Sequence, residues 1–179
     1  IESFDQGILD QLGKNTTVEQ NHKALNLTIE ARMTPIMNMI FFSPWETEST
    51  LKKTVKETVA YLKRGAIMNS AVGMNATYGS EIIHERPDLI ICEELYYLGM
   101  KLPFKNPIRL KCEDAIIQQL LEDVLLQREL FKKRLQKKRR INSFSSHLNS
   151  LCALRTINHL LACETSELDT LIESCLDPK

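Results

Sequence analysis

The chain has 179 residues, enough for one packed domain or one and a half small ones. Lys plus Arg and Asp plus Glu both total 23, so no net field draws it to nucleic acid or to an anionic membrane. Its 43% hydrophobic and 26% charged residues exclude a disordered or fibrous chain, and its longest apolar run, MIFF at 39–42, is far too short to span a bilayer. No basic-then-apolar leader opens the sequence, and the expected setting is cytoplasmic.

The first residues, Ile1 to Ser3, read as the end of a strand whose start is missing, so the chain is expected to be a fragment. Asp5 to Gly13 then carries Ile8, Leu9 and Leu12 on a short helical face. Thr17 with Gln20, or Thr16 with Glu19, forms a capping box for a helix with Ala24, Leu25 and Ile29 inward, ending near Arg32 because Pro35 follows. Ile36 to Phe42 is nearly all apolar apart from Asn38, the pattern of a parallel strand covered on both faces. Leu51, Val55, Val59 and Leu62 recur at helical spacing up to Gly65, with Glu46 and Thr47 at the capping end. A third strand is expected over Ile67 to Met74, leading into the polar loop NATYGSE.

Past Pro87 the pattern changes. Leu89 to Leu98 is mixed apolar and acidic, and LPFKNPIRL is too rich in proline for one helix. A long helix is expected from Glu113, with Ile116, Ile117, Leu120, Leu121, Val124 and Leu125 as its apolar face. NSFSSH breaks it from a helix around Leu148 to Leu161, and a last helix runs Glu167 to Leu176 with Thr165 or Ser166 as cap. The expected fold is therefore α/β over 1–86, followed by a helical accessory region over 87–179.

The five cysteines, at 92, 112, 152, 163 and 175, are odd in number and irregularly spaced, which fits a reducing compartment rather than a disulfide framework. No metal site is expected. His159 and Cys163, one helical turn apart, are the nearest approach to ligand spacing and read as ordinary helix residues. The run RELFKKRLQKKRR, Arg128 to Arg140, holds eight cations and one Glu. It reads as a solvated face favoured at a helix C-terminus, with an RNA backbone as the less favoured partner, since only Phe131 interleaves it.

Three segments in order resemble one enzyme superfamily. IESFDQGILDQLGKNTTVEQNHKAL is similar to the fourth-strand region of radical S-adenosylmethionine (SAM) enzymes, where a GIESG-type pattern precedes LxxLxKGxT. MIFFSPWETES resembles their fifth-strand pattern, IxGxPGETEE, and its PWET form is similar to members linked to a cobalamin-binding domain. NATYGSEII resembles the loop after the sixth strand. The resemblance implies that residues 1–86 are the C-terminal half of a partial parallel (β/α) barrel. It also implies that the parent enzyme reduces SAM at a [4Fe–4S] cluster to a 5′-deoxyadenosyl radical, in some members with cobalamin-dependent methyl transfer.

On that resemblance, Glu2 and Ser3 hydrogen-bond the ribose or amino group of SAM and Lys14 pairs with a carboxylate. Ile40 and Phe41 line the adenine side, Pro44 and Glu46 shape the loop over the site, and Asn38 faces the barrel interior. The chain departs from the family at Phe42 and Trp45, which stand where glycines are usual, and it contains no CxxxCxxC, so no cluster is held in the family manner. The expected partner is a missing N-terminal half of the same protein, and this segment alone is expected to be inactive. Two rivals remain: a non-catalytic barrel remnant that binds a partner, and a cluster-free enzyme using Glu2 and Glu46 as acid and base, which needs the two carboxylates in one pocket.

Overall fold

The computed structural model describes residues 1–77, 80–91, 95–97, 100–102, 108–139 and 145–176. Tyr78, Cys92, Arg140 and parts of the NATYGSE, LPFKNPIRL and NSFSSH segments lie outside the described residues.

Capping sets the first half of the chain. Asp5 accepts the Ile8 N–H at the start of α1 (Gln6–Gln11), and Gly13, at φ 66, makes the turn out of it. Thr17 and Gln20 form the reciprocal box that opens α2 (Val18–Glu30). β1 (Ile36–Phe42) follows, then α3 (Glu48–Lys63), where the box is Thr47 with Thr50. β2 (Ile67–Gly73) pairs parallel with β1, Asn38 opposite Asn69 and Ile40 opposite Ala71. The Ile40 N–H donates to the Glu2 carbonyl at 2.9 Å, so residues around Glu2 flank β1 on its other side.

A short β3 (Asn75–Ala76), the one-and-a-half-turn α4 (Glu81–Glu85), β4 (Leu95–Tyr97) and β5 (Met100–Leu102), paired antiparallel over three residue pairs, and β6 (Ile108–Arg109) precede α5 (Ala115–Arg139). β6 returns to pair antiparallel with β3. The chain closes with α6 (Ser146–Leu160) and α7 (Ser166–Leu176). The molecule is thus mixed α/β, dominated by helix, with no closed barrel among the described residues. No helix among those residues is long and apolar enough to cross a membrane.

One continuous core joins the two halves of the sequence. Met37, Met39 and Phe41 of β1 and Met68 of β2 are buried together with Leu51 of α3, Val124 of α5, Leu154 of α6 and Ile172 of α7. The alternation of β1 decides what is left over. Met37, Met39 and Phe41 point inward, while Ile36, 62% exposed, and Asn38 point outward, with Ile40 half-buried beside them. β2 alternates in the same way, Ile67, Asn69 and Ala71 outward. The strand expected to be covered on both faces is therefore covered on one, and the exposed face carries side chains from both strands. On α5, Ile117, Leu121 and Val124 reach the core but Ile116 is 75% exposed, because it lies at the edge of the helical stripe.

The free edge of β2 is closed by side chains of α6. The Ser70 N–H donates to Ser150 Oγ at 2.9 Å and the Met68 N–H to His147 Nδ1 at 3.1 Å, where a further strand would otherwise supply carbonyls. Ser150 is itself buried and donates to the Ser146 carbonyl at 3.0 Å, so its hydroxyl is used in both senses. Ser150→Ala leaves the Ser70 N–H without its acceptor. An unpaired buried donor costs about 1–3 kcal/mol, which outweighs the better helix propensity of alanine at about 0.5 kcal/mol. Urea unfolding should show a lower midpoint at unchanged slope; an unaltered midpoint would mean that water replaces the hydroxyl.

Candidate functional site

The outward face of the β1–β2 pair holds a shallow cleft of about 350 Å³ lined by Glu2, Asn38, Ile40, Asn69, Ser70 and Ala71. Each part has a local cause. Glu2 arrives through its backbone bond to Ile40, and Asn38 and Ile40 share a face because strand side chains alternate. Asn69 stands opposite Asn38 in the parallel register and donates from Nδ2 to Asn38 Oδ1 at 3.3 Å. Ser146 of α6 donates in turn to Asn69 Oδ1, which fixes the orientation of that amide and leaves the Asn38 NH₂ group available to a ligand.

The charge at the cleft edge is an ion pair. Lys14 Nζ lies 3.0 Å from Glu2 Oε2, both groups partly exposed, so Coulomb attraction here is modest and salt-sensitive. Lys14 is carried there by the turn at Gly13 and by its own N–H bond to the Leu9 carbonyl at 3.0 Å. The Ser70 hydroxyl oxygen is buried with no hydrogen-bond partner and, by the alternation of β2, lies on the inward side of the strand. The cleft therefore offers a carboxylate, a carboxamide donor and the apolar surface of Ile40 and Ala71, with the Lys14 cation paired to Glu2 beside it. That set suits a small polar ligand with hydroxyl or ammonium groups and an apolar portion.

The remaining predicted positions lie elsewhere. Ser3 is buried with its Oγ 3.3 Å from Thr54 Oγ1 of α3 and accepting the Asp5 N–H at 3.1 Å, so it fixes the backbone beside Glu2 rather than facing the cleft. Phe41 points into the core. Pro44 is buried, and its carbonyl accepts the Glu113 N–H at 2.8 Å, tying the β1–α3 loop to the start of α5. Glu46 is buried under that loop, where Thr50 Oγ1 donates to Oε1 at 2.6 Å and Ser43 Oγ to Oε2 at 3.3 Å. Burial dominates over these bonds and pushes its carboxyl up to about 7. Glu2 and Glu46 do not converge on one cleft, which removes the acid–base pair that a cluster-free enzyme would need.

Asn69, Ser70 and Ser146 were not legible as site residues. The first two sit in a strand whose apolar alternation is weak, and Ser146 joins them from 77 residues away. Among the described residues no three His, Cys, Asp or Glu gather in a way that could hold a metal ion. Cys163 and His159 are both exposed, while Cys112, pushed up to about 12 by burial, and Cys152, to about 11, stay as neutral thiols. Protein-family models, curated proteins and solved structures give no match to this chain.

Proposed function

We propose that this chain forms part of the SAM and substrate pocket of a radical SAM enzyme, with residues around Glu2, β1 and β2 as consecutive strands of a partial (β/α) barrel. Residues 87–179, helical from α5 onward and with β4 to β6 before it, are then its accessory region. The observation that carries this reading is that Glu2 and Ile40, taken from two separate sequence motifs, line one cleft with Asn38 on the open face of the parallel strands. The donor set fits a SAM molecule. Glu2 accepts from the ribose hydroxyls or the ammonium, the Asn38 NH₂ donates, Lys14 is within reach of a carboxylate once it leaves Glu2, and Ile40 with Ala71 supplies an apolar surface.

The cluster does not fit this chain. Its cysteines lack the CxxxCxxC spacing, so reductive cleavage is not assigned to any residue here and the role of the chain is to bind and orient. Equilibrium dialysis of the chain against SAM should give saturable binding. Glu2→Gln and Asn38→Ala should each weaken it about tenfold, equivalent to about 1.4 kcal/mol. Absence of saturable binding up to millimolar SAM overturns the assignment.

One observation favours a second reading, a non-catalytic remnant that binds a partner. Parallel strands are normally covered on both faces, yet Ile36 and Ile67 are exposed here. Under that reading SAM gives no saturable signal.

A further inference from the structure

The cleft at Glu2 and Asn38 has Ala71 in its wall. That residue is also the near wall of a second cavity, of about 310 Å³, which extends past Gly73 and Met74 at the C-terminal end of β2. Its far wall is cationic, formed by Arg109 of β6 and Arg128 of α5, with Leu121 and Leu125 of α5 beside them. In parallel α/β sheets ligands sit outside the carboxyl ends of the strands, which is the position of this cavity.

Arg128 is the informative group. Its side chain is only 25% exposed, and its Nη2 lies 3.1 Å from Glu129 Oε1. Its Nε is buried with no acceptor. Glu129 is shared with Lys132, 3.2 Å away, so the carboxylate that Arg128 meets is divided between two cations. Arg109 has interactions of its own and adds charge rather than a free donor. A guanidinium is a planar fork that engages an oxyanion through two N–H groups, and two such side chains, Arg109 and Arg128, share the wall of this cavity.

We propose that this cavity is an anion subsite, in which Arg128 binds a carboxylate or phosphate group of a small substrate whose remainder lies over Ala71 toward Glu2 and Asn38. The word substrate rests on the function proposed above; the anion preference rests on the arginines alone. In this arrangement the helical region is part of the pocket, because α5 supplies the residue that selects the charge.

The test is NMR titration of the ¹⁵N-labelled chain with inorganic phosphate and, separately, with succinate, at constant ionic strength so that screening does not imitate binding. The expected result is a saturable shift of the Ala71 to Met74 amides and of the Arg128 Nε–H with at least one probe. The probe that binds more tightly identifies the oxyanion. Arg128→Gln should weaken binding at least tenfold, and Arg128→Lys, which keeps the charge and the fold but loses the fork, should weaken it severalfold. Arg134→Gln, on the exposed flank of the same helix, should leave it unchanged. No saturable response to either probe, or equal losses from Arg128→Gln and Arg134→Gln, overturns the subsite. S-adenosylhomocysteine titrated into the same samples separates the two ideas. Shifts at Glu2 and Asn38 without a phosphate or succinate response sink the subsite alone, whereas the converse sinks the SAM assignment and leaves the subsite standing.

Discussion

Phe4→Ala is expected to destabilise the protein by about 3–5 kcal/mol, a large share of the 5–15 kcal/mol that holds a typical domain together. Phe4 is completely buried. Its ring stacks on Tyr61 at 5.7 Å with an interplanar angle of 5° and on His22 at 5.2 Å, joining α2 and α3 beneath the first residues of the chain. His22 Nδ1 and the Tyr61 hydroxyl are 2.8 Å apart, so both partners are already held in place and neither can move in to fill the space. The truncation therefore loses the transfer energy of the ring and leaves a cavity as well. Because Phe4 anchors the backbone that carries Glu2, ligand binding at the cleft should weaken along with stability. Urea unfolding checks the first effect through its midpoint at constant slope. A loss under 1 kcal/mol would show that the stack contributes little and that Glu2 is positioned by its bond to Ile40 alone.

Stability should also fall as the pH rises through neutrality, and Glu46 should be the cause. Its carboxyl is raised from an ordinary 4.5 to about 7, chiefly by burial. The folded state thus holds a proton that the unfolded state has already released between those values. The stabilisation is fully present below about 4.5 and is lost as the pH rises through about 7, with a magnitude of about 3 kcal/mol. This is opposite in sign to the usual salt-bridged carboxylate. The position of Glu46 just ahead of α3 favours an anion, but the cost of desolvation is larger.

The groups around Glu46 reinforce that outcome. Asp5 adds like charge, although Lys53, with Nζ 3.3 Å from Asp5 Oδ2, offsets part of it, and Cys112 remains a neutral thiol. Glu46→Gln keeps an acceptor for Thr50 and cannot ionise. The variant should match the parent near pH 5, exceed it by up to about 3 kcal/mol at pH 8, and flatten the profile between. Denaturant midpoints across pH 5–8 decide the matter. Parallel profiles for parent and variant would show that Glu46 is ionised throughout.

Much of the local structure can be read from residues close together in sequence. The box of Thr17 with Gln20 opens α2, Pro35 follows the end of that helix, and Leu51, Val55 and Leu62 define the buried side of α3. Each depends on contacts three or four residues apart, where propensity and capping act directly. The apolar run at 36–42 was also enough to define β1, but it implied two covered faces, and the open one was not legible in it. The resemblance pointed to Glu2, Asn38 and Ile40, which meet in a cleft, but equally to Ser3, Pro44 and Glu46, which do not. Alternation along a strand separates such neighbours onto opposite faces, and a motif does not say which face is which.

The sequence by itself determined the approximate places of α1, α2, β1, α3, β2 and the three C-terminal helices, though not α4 or the short strands β3 to β6, and that the chain cannot hold a CxxxCxxC cluster. Only the tertiary structure decided that the outward face of β1 and β2 is left uncovered and that α6 closes the β2 edge through Ser150 and His147. It alone brought Ser146 to Asn69 and Arg128 to the end of β2. These juxtapositions span from about 50 to 80 positions, and they follow from how α5 and α6 pack their apolar sides onto a shared core. Burial of apolar surface is not directional, so the pattern of a helix shows which side will be buried without showing what it will be buried against.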